Sequence, residues 1–293
     1  MPSVRLVFVA TALALLVGMP QALAAQQRYL LQLAPRPGDT LRMRVDQQTE
    51  VKGAGRMNAP ARAMKGALTI FSHAVVTGQG GGATTLLAKT DSVMLDSDDE
   101  HAQEVGDQVR RFGAGKPVHI RLAGNGTVRL LDDAGNPVRQ SETLALIPAA
   151  LPEGALAVGD TWVRSMPLPI GPATNAGMVH ATFRLDSVSR GGRIAFISVQ
   201  GELEQGAVPA AGPRGTMMRV VGTLVGQLHL DRIRGWIADS RFQVTLNSAV
   251  EPPAGSGIAP VRFTTVVTQH MRLDEGRGSG TRRRATPEQA GRP

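Results

Sequence analysis

Strict alternation of apolar and polar side chains runs through this chain, and no other feature limits its fold so tightly. Leu41, Met43 and Val45 alternate with Arg42, Arg44 and Asp46. Ala181, Phe183 and Leu185 alternate with Thr182, Arg184 and Asp186, and Phe242, Val244 and Leu246 with Arg241, Gln243 and Asn247. A period of two puts every apolar side chain on one face of an extended strand. Strands with one dry and one wet face belong to antiparallel sheets. Turn residues fall between them: Gly78-Gln79-Gly80-Gly81-Gly82, Gly124-Asn125-Gly126, Asp133-Ala134-Gly135-Asn136 and Arg190-Gly191-Gly192. The expectation is a mainly β protein of one or more antiparallel sheets, built from long hairpins and curled around the dry face, since a one-sided sheet twists and coils.

Helix is scarce. Ala102, Val105, Val109 and Phe112 recur at helical spacing between a capping Asp98 and Gly113, which predicts a short helix near residues 98–112. A second short helix is expected after Ser141 (SETLALI), stopped by Pro148. Residues 148–158 read as a connector.

That connector divides two stretches of similar design. Gly38-Asp39-Thr40 opens one alternating strand and Gly159-Asp160-Thr161 another. Each is followed by a hairpin, Leu68–Val76 into Thr84–Leu95 and Val179–Val188 into Ile194–Leu203. Each stretch then has a strand–turn–strand unit, Val118–Leu131 through Gly126 and Leu224–Leu246 through Gly235. The order suggests a tandem duplication, with residues 26–147 as first repeat and 159–274 as second; a plain meander would give hairpins at the same density. In each Gly-Asp-Thr turn, glycine permits a positive φ, aspartate is expected to bond amides two residues on, and threonine opens the strand.

The first 25 residues read as a secretory signal. Arg5 precedes an unbroken apolar run, Leu6–Val17, and Ala22-Leu23-Ala24 offers the small-x-small pattern of signal peptidase. The run is too short to span a bilayer, so no transmembrane segment is expected after cleavage, and the protein is expected to be extracytoplasmic, periplasmic or secreted. The chain has no cysteine. Disulfides, thiol catalysis, and cysteine ligation of zinc or iron–sulfur centres are therefore excluded.

The formal net charge is +8, of which the tail at residues 275–293 carries +3 through Arg277, Arg282, Arg283, Arg284 and Arg292 against Glu275 and Glu288. Without that tail, expected to be disordered, and without Arg5, the remainder carries +4, an ordinary value. With 3% aromatic residues there is little for bases to stack on, and no nucleic-acid partner is expected.

No residue pattern identifies a reaction. The histidines (His73, His101, His119, His180, His229, His270) have no metal-ligand spacing. Asp91, Asp96, Asp98, Asp99, Glu100 and Glu104 lack the order of a calcium loop. The glycine clusters lack a phosphate-loop lysine, and neither Gly255-Ser256-Gly257 nor Gly278-Ser279-Gly280 has nucleophile-elbow spacing. Trp162 and Trp236 read as core anchors. Catalytic residues, metal ligands and cofactors are accordingly expected to be none, and the ligand-binding residues stay unknown.

Leu151-Pro152, Val158-Gly159-Asp160-Thr161-Trp162, and Leu230-Asp231 followed by Gly235-Trp236 resemble a family of exported bacterial β proteins with no assigned function. The resemblance covers most of residues 38–274 and implies a β fold reached after export; it supplies no catalytic residue. In general pattern the chain also resembles envelope lipid carriers built as open half-barrels. The expected function is non-catalytic binding of a lipid or other apolar, envelope-derived molecule, on inward residues such as Met43, Val45, Phe183 and Leu185. The alternatives are a structural or protein-interaction component of the envelope and, third, a hydrolase. A hydrolase would have to bring titratable groups together in a cleft, for instance Asp231 with His229 or Asp239.

Overall fold

The computed structural model describes residues 27–53, 63–98, 116–132, 135, 136, 138, 151–167, 178–209, 215–257 and 259–274. The expected signal, both expected helices (apart from Asp98) and the basic tail lie outside these residues. The described residues are all β, without helix.

Thirteen strands run β1 (Arg28–Tyr29), β2 (Thr40–Lys52), β3 (Met64–Gly80), β4 (Ala83–Ser97), β5 (Val118–Ala123), β6 (Val128–Leu131), β7 (Leu156–Ala157), β8 (Thr161–Pro167), β9 (Met178–Val188), β10 (Ile194–Pro209), β11 (Met217–Asp231), β12 (Trp236–Glu251) and β13 (Val261–Leu273). Eleven of them form one antiparallel sheet in the order β6-β5-β4-β3-β2-β13-β12-β11-β10-β9-β8. The two stretches of the sequence are two meanders, β2–β6 and β8–β13, joined where β2 pairs with β13. They make one sheet, not two separate ones. Its end strands β6 and β8 do not pair, so it is not closed into a barrel.

The sheet is curled, and two hydrogen bonds show how far. Leu33 N donates to Gly124 O in the β5–β6 turn, and the next residue, Ala34 N, donates to Gly235 O in the β11–β12 turn. In the sheet order β5 and β11 stand six strands apart, roughly 29 Å if the sheet were flat. Adjacent Cα atoms are only about 3.8 Å apart. One strand-like segment therefore reaches both turns because the sheet bends round to meet it.

The tight turns at Gly81-Gly82, Gly126, Gly191-Gly192 and Gly235, each with a positive φ, lie at one end of this curl. Residues 27–39 cross that end as a plug. Leu31 and Leu33 are buried at 1% and 2% exposure, and β1 pairs with β7 from the connector. Arg28 donates from Nε and Nη2 to Ala155 O at 3.1 and 2.9 Å, while Arg232 lies over the Tyr29 ring at 4.9 Å and donates to Gly192 O. The connector is thus part of the closed end, with Leu151 buried in the core.

Both Gly-Asp-Thr turns sit at this end and make the same four bonds. Asp39 Oδ2 accepts from Arg36 N and Asp39 N donates to Arg36 O, while Val76 N donates to Asp39 O and Gly38 N to Val76 O. Asp160 repeats the set with Ala157 and Leu185, through Gly159. Gly38 and Gly159 have φ of 88° and 96°. The carboxylates thus hold an amide three residues behind, not two ahead, because the chain doubles back before each strand opens and lays that amide over the side chain.

Candidate ligand-binding face

Alternation and register assign each strand residue to the inner or outer face. Inner positions at the plugged end and along β9–β11 are dry, among them Leu41, Val45, Val76, Leu86, Phe183, Leu185, Ile197, Val199, Leu224, Leu228 and Leu230. Trp162 stacks on Phe183 with centroids 5.6 Å apart, and Trp236 is buried more deeply still; both tryptophans are core anchors. Glycines let this wall close tightly. A Cβ on Gly226 would stand 2.4 Å from Phe242 Cδ1 and 2.5 Å from Arg241 O, so the Phe242 ring lies against bare backbone.

The wall made by β2, β3 and β4 differs toward the other end. Val51, Met64, Leu68, Ile70, Val93 and Leu95 point inward, paired Val51–Met64, Leu68–Leu95 and Ile70–Val93, yet each remains half-exposed. Residues beyond Ala88 on β4 have no second strand beside them among the described residues, since β5 pairs only with Ala83–Ala88. Among the described residues an apolar inner patch thus borders a lateral opening between the two sheet edges.

The opposite lip of that opening is β8, where Trp162, Arg164 and Met166 face inward opposite Phe183, Ala181 and Val179. Trp162 and Met166 are buried, and Arg164 is half-buried between them. Its guanidinium donates from Nη2 to Leu151 O at 3.2 Å and from Nη1 to Val163 O at 3.4 Å. Leu151 N in turn donates to Asn125 O beside β6, so Leu151 bridges the opening at its plugged end. Among the described residues no carboxylate forms an ion pair with Arg164.

The inward residues expected to line a binding surface divide accordingly. Val45, Phe183 and Leu185 are buried core and Met43 half-buried beside it. The accessible apolar positions lie further along β3 and β4. Alternation marks these as inward; their exposure follows from how the sheet curls, which no local pattern encodes.

Titratable side chains gather on the outer face. His270 Nε2 and Asp239 Oδ2 are 2.7 Å apart, with His229 Nδ1 and Arg241 Nε at 3.9 and 3.6 Å from Asp239 Oδ1. Asp46 accepts from Arg44 Nε and Thr69 Oγ1 at 2.9 and 3.0 Å; the Arg44 hydrogen bond holds its carboxyl below the usual range against some desolvation. His73 pairs with Asp91 at 2.7 Å, and Ser165 Oγ lies 2.8 Å from His180 Nδ1. Asp239 and His229 do converge, but on the solvent side of a continuous sheet, whose backbone N–H groups are spent on the ladder and offer no oxyanion donors. Asp231 does not join them. It is buried in the β11–β12 turn, held by Arg193 at 2.8 Å and by the amides of Ile233 and Arg234.

Among the described residues no group of three His, Asp or Glu side chains is placed to hold a metal ion. A cleft of about 320 Å³ beside the plug is lined by Gln32, Leu33, Ala34, Gln79, Gly80, Gly82, Thr84 and Gly124, without a charged residue. No described helix is long and apolar enough to cross a membrane. The outward polarity of the strands is also the reverse of a transmembrane barrel, whose apolar band faces out.

No family model matches the sequence, and no curated protein matches it. Solved structures similar to this chain include two. One, described as "Lipid-protein interactions in lipovitellin", has 10% identity and a TM-score of 0.46, and the match covers 82% of this chain. It covers 25% of that chain, so this protein spans a quarter of the larger one. The other, "Structure of DynF from the Dynemicin Biosynthesis Pathway of Micromonospora chersina", has 8% identity and a TM-score of 0.23, with 88% of this chain and 90% of that chain covered. Scores this low decide nothing about ligand or reaction.

Proposed function

We propose that this protein is an extracytoplasmic, non-catalytic binding protein that holds an acyl-chain-like apolar molecule against its concave face. The observation that carries this reading is the half-exposed patch Val51, Met64, Leu68, Ile70, Val93 and Leu95 on the inner face, beyond the buried core of the plugged end. Covering apolar surface is worth roughly 25 cal/mol per Å², and a ligand laid along three cross-strand pairs covers several side chains at once. Among the described residues, the gap between β4 and β8 leaves that patch accessible from the side.

A second reading rests on a different observation. Among the described residues the edge strand β8 has one sheet neighbour, whereas Leu130 O on β6 already accepts from Val138 N, and an unpaired edge accepts an added strand from a partner. That would make the protein an interaction component of the envelope.

The test is mass spectrometry of an organic extract of the intact protein purified from the cells that make it. A lipid or other apolar molecule at near-stoichiometric amount is the expected result. A clean extract from folded protein, together with no uptake of oleyl alcohol added in solution, overturns the carrier reading in favour of the edge-strand one.

A further inference from the structure

Resting on the carrier reading, we infer that the bound molecule has an uncharged hydrogen-bonding head, an ester, amide or alcohol. The side-chain amides of Gln47 and Gln269 meet this head while its chain lies over Leu68 and Leu95. Register places these residues side by side. One inner-face row crosses five neighbouring strands: Phe242 on β12, Gln269 on β13, Gln47 on β2, Leu68 on β3 and Leu95 on β4, each paired with the next. Strands stand about 4.8 Å apart, so along the sheet Leu68 is roughly 5 Å from Gln47 and Leu95 roughly 10 Å, within the length of one acyl chain. Both glutamines are half-buried, next to the buried inner pair Val45 and Met271. Among the described residues Gln47 Nε2 has one long contact, to Thr49 Oγ1 at 3.5 Å, and the Gln269 side chain makes no hydrogen bond.

Each amide offers two N–H donors and one carbonyl acceptor. Water serves these groups while the row is open, and a chain laid from Leu95 toward Phe242 displaces that water. Amides then left unpaired cost free energy, which disfavours a wholly apolar ligand over one that brings a partner for them. A charged head is disfavoured too. Among the described residues, the inward positions of β2, β3, β4, β12 and β13 hold no charged side chain; alternation turns Arg44, Asp46, Asp239 and Arg241 outward. The inward cation Arg164 is on β8, outside this row, with its guanidinium on Leu151 O and Val163 O. An ionised head beside the glutamines would therefore have no counter-charge on the strands around it, whereas a neutral head finds both a donor and an acceptor.

The probes are oleamide, oleyl sulfate and 9-octadecene, which share one chain and differ at the head. The intact protein is compared with the double variant Gln47→Leu/Gln269→Leu, which keeps side chains of similar size on the inner face. The variant is expected to lose about tenfold in affinity for oleamide relative to 9-octadecene, the size of effect one or two neutral hydrogen bonds give. An unchanged ratio overturns the head assignment and leaves the acyl reading standing. So does oleyl sulfate binding to the intact protein as tightly as oleamide. Binding of none of the three overturns both. Should the double variant fail to fold, nuclear Overhauser contacts answer the question on the unaltered protein. Bound oleamide is expected to show contacts from its amide protons to glutamine side-chain amides and from its chain to leucine methyls. Chain contacts without amide contacts overturn the head assignment alone.

Discussion

Asp231 shows how one residue is fixed by competing effects. Burial, with 3% of its side chain exposed, pushes the carboxyl pKa up. The Arg193 hydrogen bonds, then the Arg234 and Ile233 amides, outweigh that, and the net shift is below the ordinary value. A depressed folded pKa adds stability that is fully present above the unfolded value near 4 and lost as pH falls through the folded one. Asp231→Ala removes the acceptor of one guanidinium and two amides, and is expected to cost about 3 kcal/mol at pH 7. That is roughly 6–12 °C in Tm for a domain of this size. The Tm gap between the two proteins should narrow once the pH drops below about 4. A gap that is constant from pH 7 to pH 3 would show that the charge of Asp231 contributes nothing.

Gly226 makes the opposite argument, because here the sign is the test. Exchanging glycine for alanine inside a strand ordinarily gains about 0.5–1 kcal/mol. Here the added Cβ would meet Phe242 Cδ1 at 2.4 Å and the Arg241 carbonyl at 2.5 Å, and a backbone carbonyl cannot yield. Gly226→Ala should therefore destabilise by about 1–3 kcal/mol in urea unfolding.

Among the elements, long strands were the most legible. β9 follows its alternation residue by residue, buried at Val179, Ala181, Phe183 and Leu185, and the hairpin turns fall on the glycine pairs expected. β3 and β4 extend past their expected ends on both sides, because cross-strand pairing carries strand geometry through Gly78 and Gly80. The N-terminal plug was not legible at all. Leu30 and Ala34 blur the alternation of residues 30–36 in sequence, although burial alternates at Leu31, Leu33 and Pro35, and what makes them structural is two turns brought together from distant strands. Leu31 and Leu33 are as buried as any strand residue. Leu33→Ala is expected to cost about 2–5 kcal/mol, and so to loosen the plugged end enough for limited proteolysis between residues 27 and 39. A variant that stays resistant there, with unchanged Tm, would mean that the segment merely rests on the sheet. The candidate site shares this limit. Arg164 looks like one more polar residue in a short strand until register places it between Trp162 and Met166 on the inner side.

At the scale of the whole molecule, the two faces of β4 and the inner face of β9 should report three different environments, and the absence of native cysteine makes that measurable. Met94 on β4 is 53% exposed on the outer face, its neighbour Leu95 is half-exposed on the inner face, and Leu185 on β9 is fully buried. An aqueous maleimide should modify Met94→Cys fast, Leu95→Cys more slowly and Leu185→Cys only on unfolding. A flat or splayed sheet would bring Leu185→Cys close to the other two, and that result would refute the curl. Bound oleamide adds the functional half of the argument. If the acyl chain lies on the β3–β4 wall it must shield Leu95→Cys and leave Met94→Cys untouched, because successive strand residues point to opposite sides. Protection of both would place the ligand across the edge of the sheet, and protection of neither would move it off this wall.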